Sequence, residues 1–256
     1  MISLEREGPV GQISLHRPPA NVYNPQFAAE LDQAVDAARA DDAIRAVIVT
    51  STVPRFFSAG ADVKWFAGST LEEKVTFITR MHEVLRKIER TPRIFIAAIT
   101  GHCLGGGMEI ALACDLRFAA AGTYGLGQPE VSLGIIPGNG GTQRLPRLVG
   151  KSRALDLMIT GRTLSSDDAL SIGLVNRVLP AEDLLAKTRE YAETLTRGAT
   201  VAIGLVKLAV NHGLEMALDD GLAYEREELF RAFVTEDGTE GVRAFLEKRP
   251  PAFKGR

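Results

Sequence analysis

Residues 94–109 read Ile94-Phe95-Ile96-Ala97-Ala98-Ile99-Thr100-Gly101-His102-Cys103-Leu104-Gly105-Gly106-Gly107-Met108-Glu109. The apolar run 94–99 is too short for an ordinary helix and too continuous for a half-exposed strand, so it predicts a strand covered on both faces. After the glycines, Met108-Glu109-Ile110-Ala111-Leu112-Ala113 predicts a short helix. Strand, glycine turn and helix in that order are one step of a parallel α/β core.

Working outward, Ala46-Val47-Ile48-Val49-Thr50 repeats the buried-strand pattern, and Asp115-Leu116-Arg117-Phe118 predicts a third strand. Residues 2–16 predict two short strands about Gly8-Pro9, ended by Arg17-Pro18-Pro19. Asn24-Pro25 supplies an N-cap and a first-turn proline to a helix reaching about Ala40, with Phe27, Leu31, Val35 and Ala38 on one face. Ser69-Thr70-Leu71-Glu72 has the Ser-x-x-Glu form of a capping box and predicts a long helix to about Arg90. Beyond about residue 140 the pattern turns helical, apart from a strand at 174–179. Helices are expected at 182–197, 200–211, 215–234 and 238–248, with Glu227 and Arg231 an i,i+4 pair. The chain thus divides into an α/β body over 1–195 and a helical region over 196–256, which packs on its own body or on a neighbouring subunit.

Composition narrows the class. Of 256 residues, 45% are hydrophobic and 24% charged, the balance of an ordinary globular chain. A formal net charge of −2 argues against a protein built to grip nucleic acid. The two cysteines, Cys103 and Cys114, have no metal or redox spacing and read as reduced thiols. Neither a secretory pattern nor an apolar stretch of membrane-spanning length is present, so a soluble cytoplasmic protein is expected.

Three segments interrupt the periodic pattern: Phe57-Ser58-Ala59-Gly60-Ala61-Asp62, the glycine cluster of 101–109, and Gly127-Gln128-Pro129-Glu130 running on to Gly134-Ile135-Ile136-Pro137-Gly138. A helix opening at Gly106 exposes unpaired N–H groups and the positive end of its dipole, an environment for an anion or a developing oxyanion. Glu109 falls on the same side of that first turn. A second N–H from Ala61 would complete an oxyanion hole, worth roughly 3–4 kcal/mol per donor in comparable acyl-transfer sites. Pro129 at a first helical position would place Glu130 at the start of another helix, and two glutamates so held can divide acid and base work. Each signal also has a plainer reading. Triple glycine serves close strand–helix contact, and first-turn glutamates serve the dipole. Asp62 reads as a cap for the segment after it, and His82 and His102 as structural or surface residues.

Taken together, these motifs resemble the enoyl-CoA hydratase/isomerase (crotonase) superfamily. The resemblance runs from about Leu15 to the C-terminus. It rests on Phe57–Asp62, Gly101–Glu109, Cys114-Asp115, Gly127–Glu130 and Gly134-Ile135-Ile136-Pro137-Gly138-Asn139-Gly140-Gly141-Thr142-Gln143-Arg144-Leu145. The ending, Gly241–Arg249 followed by Pro251–Lys254, is also similar to the family's. The resemblance implies a spiral of ββα units with a helical C-terminal trimerisation region, assembled as a homo-trimer or hexamer. It implies a hydratase adding water across the 2,3 double bond of an acyl-CoA, with no metal and no cofactor beyond the CoA of the substrate.

By the same resemblance, backbone N–H groups of Ala61 and Gly106 hold the thioester oxygen. Glu109 and Glu130 position water and move the proton at Cα, and Gly138 lies beside that water. Ala59 and the segment Ala61-Asp62-Val63-Lys64 run along CoA, Trp65 and Phe66 face the acyl chain, and Phe245 and Lys248 help bind CoA. Pro18–Asn24 departs from the usual pattern in being shorter and in lacking a lysine that many members carry. The stretch Ala119–Gly127 is longer than usual. The rival readings are a Δ3-Δ2 enoyl-CoA isomerase or another acyl-CoA lyase of the family, and an RNA-binding member, which the net charge disfavours.

Overall fold

The computed structural model describes residues 1–256. Strands β1 (Ile2–Glu7) and β2 (Val10–Leu15) pair antiparallel across Gly8, whose φ of +57° only glycine adopts freely. Helix α1 (Pro25–Ala40) begins as expected, with Asn24 Oδ1 accepting from Phe27 N–H, and buries Phe27, Leu31, Val35 and Ala38 on one face. β3 (Ala46–Ser51) is buried at every residue, which is why its sequence shows no alternation.

From β3 onward the chain winds between two sheets. It passes β4 (Phe56–Ser58), α2 (Val63–Gly68), α3 (Leu71–Arg90), β5 (Ile94–Ile99), β6 (His102–Leu104), α4 (Gly106–Ala113), β7 (Leu116–Ala120) and β8 (Leu126–Gly127). Helices α5 (Gly141–Val149), α6 (Lys151–Thr160) and α7 (Ser166–Ser171) then precede the last strand, β9 (Arg177–Leu179). The six-stranded sheet has the order β1-β2-β3-β5-β7-β9, and β4, β6 and β8 form a second sheet of three. The pairs β3/β4, β5/β6 and β7/β8 each give one strand to each sheet, so the body is the expected ββα spiral. All ladders other than β1/β2 are parallel.

Helices α8 (Leu184–Thr196), α9 (Thr200–Gly213), α10 (Leu218–Phe233) and α11 (Glu236–Leu246) complete the chain. α9 is anchored to the body by Lys207, whose buried Nζ meets Asp115 Oδ2 at 2.8 Å, Ile88 O at 2.7 Å and Arg93 O at 2.9 Å. Asp115 Oδ2 also accepts from Phe95 N–H, so the Cys114-Asp115 motif joins β5, β7 and α9. On α10 and α11, by contrast, Leu218, Phe230, Phe233, Val242 and Phe245 are exposed.

Local expectations need correction in four places. The capping box of α3 is one residue later than predicted, Thr70 with Glu73, because Ser69 Oγ is already committed to Trp65 O at the end of α2. Arg231 pairs with Glu228 rather than Glu227, since Glu228 turns inward and i,i+3 neighbours are also within reach on a helix. The predicted strand 174–179 keeps only its last three residues, because Leu174 and Val175 are tied back to Ala169 O at the end of α7. Glu130 opens no α-helix. Pro129 is the cap of a single 3₁₀ turn over Glu130–Leu133, none of whose residues is buried, so no apolar face prolongs it before Gly134 (φ +70°) ends it.

Candidate active site

β4, β6 and β8 run side by side and parallel, so their C-terminal ends deliver three segments to one place. These carry Ala61, Gly105-Gly106 and Glu130. Tyr23 forms a parallel bridge with Ala61. Its N–H donates to Gly60 O and its C=O accepts from Asp62 N–H, both at 2.9 Å, and the Ala61 N–H between them makes no hydrogen bond within the chain. Gly106 N–H, at the start of α4, is likewise without an acceptor, and Gly105 brings no side-chain cap to it. The two amides are neighbours: a β-carbon at Gly60 would stand 3.2 Å from Gly106 N.

Glu109 is buried in α4. Its Oε1 accepts from Asn139 N–H at 2.7 Å and Gly141 N–H at 2.8 Å, whereas its Oε2, also buried, has no partner. Burial raises the Glu109 pKa from its ordinary value, opposed by the two N–H bonds and by Arg144. Arg144 braces the same loop, with Nη1 on Asn139 O at 2.7 Å and a fork on Glu89 at 2.5 and 2.7 Å.

Glu130 lies against Gly105, where a β-carbon would stand 2.8 Å from its Oε1. Its partner is the buried side chain of Gln128. With that amide nitrogen facing the carboxylate, it donates at 2.9 and 3.1 Å to the two oxygens. Burial, reinforced by the charge of Glu109, pushes the Glu130 pKa up to about 7. Two acids with unequal surroundings therefore share one site with two free amides. Such a constellation can hold an oxyanion and move protons beside it.

The remaining sequence candidates separate into groups. Gly138 joins the Glu109 loop through its neighbour Asn139, and its carbonyl contacts His82 Nε2 at 2.7 Å. His102 Nδ1 accepts from Gly125 N–H, so both histidines support backbone. Ala59 is tied to Ala20 O through its N–H. Asp62 caps α2, accepting from Lys64 and Trp65 N–H groups, as its plainer reading had it, while Val63 and Lys64 are exposed. Trp65 and Phe66 stack edge-on with each other and with Phe77, centroids 5.0–5.8 Å apart. Phe245, near the end of α11, and Lys248, two residues past that helix, are both exposed, and α11 packs on α10. Tyr23, Asn139, Arg144 and Glu89 were missed as site residues. Asn139 and Arg144 lay within a quoted motif and Tyr23 within the departing stretch Pro18–Asn24, whereas Glu89 had no local signal. No group of three or more His, Cys, Asp or Glu able to hold a metal ion is formed, and no helix is long and apolar enough to cross a membrane.

Fold and site together define an α/β spiral in which two carboxylates stand beside two backbone amides that have no acceptor. The chain belongs to the Enoyl-CoA hydratase/isomerase family, whose model matches residues 5–256. It is 43% identical over 256 residues to a probable enoyl-CoA hydratase of Mycobacterium tuberculosis, covering 100% of this chain and 98% of that protein. It is 40% identical over 257 residues to the short-chain-enoyl-CoA hydratase of Clostridium acetobutylicum, covering 100% and 98%. A solved enoyl-CoA hydratase of Geobacillus kaustophilus superposes with a TM-score of 0.97 at 47% identity, covering 100% of this chain and 97% of the other.

Proposed function

We propose that this chain is an enoyl-CoA hydratase that adds water across the 2,3 double bond of an acyl-CoA thioester. Conjugation to the carbonyl makes Cβ electrophilic, and attack there gathers enolate charge on the thioester oxygen. The amides of Ala61 and Gly106 stabilise that charge more in the transition state than in the substrate. Glu109, held through Oε1, takes a proton from the water through Oε2 as the O–Cβ bond forms. Glu130, whose pKa of about 7 keeps a large share protonated near neutrality, supplies the proton to Cα.

The observation that carries this reading is the pairing of a half-free Glu109 with a proton-retaining Glu130 beside two unpartnered amides. Gly138 flanks the water. Ala59 and Ala61–Lys64 run along CoA, Trp65 and Phe66 bound the acyl chain, and Phe245 and Lys248 reach CoA from the C-terminal region. CoA comes with the substrate, and no other cofactor enters. The exposed apolar residues of α10 and α11 suit a homo-trimer or hexamer with residues 196–256 as its oligomerisation region, and a cytoplasmic setting suits a CoA thioester.

The test is turnover of crotonyl-CoA, followed as loss of the conjugated-thioester absorbance. Glu109→Gln and Glu130→Gln should each slow it by orders of magnitude. Unchanged turnover in both variants would overturn the assignment. Conversion of a 3-enoyl-CoA without hydration of crotonyl-CoA would favour isomerisation instead.

A further inference from the structure

Neither the motifs nor the hydratase reading gives the Tyr23 side chain a role. Its ring lies between Phe27 and Phe77, with centroids 6.1 and 5.6 Å away. Its hydroxyl is so near the Gly106 backbone that a β-carbon there would stand 1.7 Å from Oη. Asn139 Nδ2 donates to that oxygen at 2.7 Å. A phenol has one hydrogen to give. With Oη already accepting from Asn139, that hydrogen is directed elsewhere, and it meets no acceptor in the chain.

Two other buried polar atoms of the cluster have no partner, Asn139 Oδ1 and Glu109 Oε2. Asn139 links all three groups, since its amide contacts Tyr23 and its backbone N–H contacts Glu109. One unpaired donor and two unpaired acceptors around a single residue match a small molecule that both gives and accepts hydrogen bonds, namely water.

We propose that Tyr23 is a third catalytic group of this site: its hydroxyl donates to the oxygen of the reacting water while that water donates to Glu109 Oε2, and Asn139 fixes the hydroxyl's direction. The inference rests on the hydratase reading. During hydration the water oxygen bonds to Cβ and one water proton passes to Glu109. The Tyr23 hydrogen stays on Tyr23, so its contribution is orientation. In the reverse direction the same hydrogen bond stabilises the departing hydroxide as it regains its proton from Glu109. Burial, then the charges of Glu109 and Glu130, hold the phenol in its neutral, hydrogen-bearing form.

Tyr23→Phe deletes the hydroxyl and keeps the ring. Asn139→Ala deletes the amide and keeps both backbone bonds of Asn139. Each should lower kcat for crotonyl-CoA hydration by about tenfold, the scale of one lost hydrogen bond in a polar network, with KM little changed. The double variant should be no slower than the slower single, because the pair acts as one unit. Wild-type kcat in Tyr23→Phe, with Glu109→Gln inactive, overturns this inference and leaves the hydratase reading standing. Fully additive losses also overturn it. Should Tyr23→Phe fail to fold, unchanged kcat in Asn139→Ala does the same. A wild-type protein that does not hydrate crotonyl-CoA overturns the reading, and this inference with it.

Discussion

The carboxylate of Glu130 lies directly over the α-carbon of Gly105, so closely that a β-carbon there would stand 2.8 Å from Oε1. Gly105 also has φ +54°, in the range L side chains rarely adopt. One glycine thus meets two demands: it turns β6 into α4 so that the Gly106 amide is left free, and it makes room for the second acid.

Gly105→Ala separates these demands from overall folding. The backbone change costs about 1–3 kcal/mol, the scale for a residue held in a sparsely populated region. The displaced Glu130 should lower kcat by more than about tenfold, since misplacement of a reacting group by about 1 Å can cost 10²-fold. Thermal unfolding and crotonyl-CoA kinetics together check it. A normal kcat would show that Glu130 works from another position.

Protonation of Glu130 gives a dependence with a definite sign. Its folded pKa, about 7, lies above the ordinary glutamate value of 4.5. Its contribution to stability is therefore full below about 4.5 and is lost as pH rises through about 7. Glu130→Gln, which cannot ionise, should lose less melting temperature between pH 6 and pH 8.5 than the wild type. In kinetics, each direction needs the acid pair to carry one proton, on Glu130 for hydration and on Glu109 for dehydration. The kcat for crotonyl-CoA hydration and the kcat for dehydration of a 3-hydroxyacyl-CoA should therefore both fall as pH rises through about 7 and that proton is lost. Paired pH profiles of the two directions check this.

The pairing of Lys207 with Asp115 makes α9 a fixed part of the body. Lys207 Nζ is enclosed by one carboxylate and two backbone carbonyls. Lys207→Met keeps the alkyl bulk, removes the charge and leaves Asp115 buried beside Phe95 N–H. Breaking one side of such a buried pair costs about 3–5 kcal/mol. Denaturant unfolding should register that loss, and adding Asp115→Asn to the same chain should recover part of it by removing the stranded charge.

The covered strands were legible because a strand buried on both faces admits only apolar residues, as Ala46–Ser51 and Ile94–Ile99 illustrate almost throughout. The turns that carry Ala61, Gly106 and Glu109 were legible through their glycines, since Gly60 and Gly105 have the positive φ those turns require. Other parts depend on what arrives from far along the chain. Asn139 reaches Tyr23 across 116 residues and Arg144 reaches Glu89 across 55, and no local pattern records either pairing. Near misses have local causes as well. Ser69 had the right chemistry for a cap, yet its hydroxyl serves the preceding helix, and the cap of α3 moved to Thr70.

The shorter of these two long-range pairings yields the sharpest test of how Glu109 is held. Arg144 grips Glu89 of α3 with a two-pronged contact and turns its remaining nitrogen to Asn139 O, on the residue whose N–H holds Glu109 Oε1. Gly140 leaves room for that reach, since a β-carbon there would stand 2.1 Å from Arg144 Nη1. Lysine keeps the charge but offers no planar fork, so Arg144→Lys can hold Glu89 or Asn139 O but not both in this geometry. The loop over 138–141 should loosen, and Glu109 with it, while the residues of α2 and α11, which make no contact with Arg144, stay in place. We therefore expect kcat to fall by about tenfold to a hundredfold with KM nearly unchanged, the pattern of an interaction needed to place a catalytic group. Glu89→Gln should give a smaller loss of the same kind, and the two substitutions combined should fall short of additivity because both act on one fork. Steady-state kinetics on the three variants, with thermal unfolding to establish that each is folded, decides between this and a purely structural ion pair, whose loss would lower the melting temperature and leave kcat of the folded protein alone.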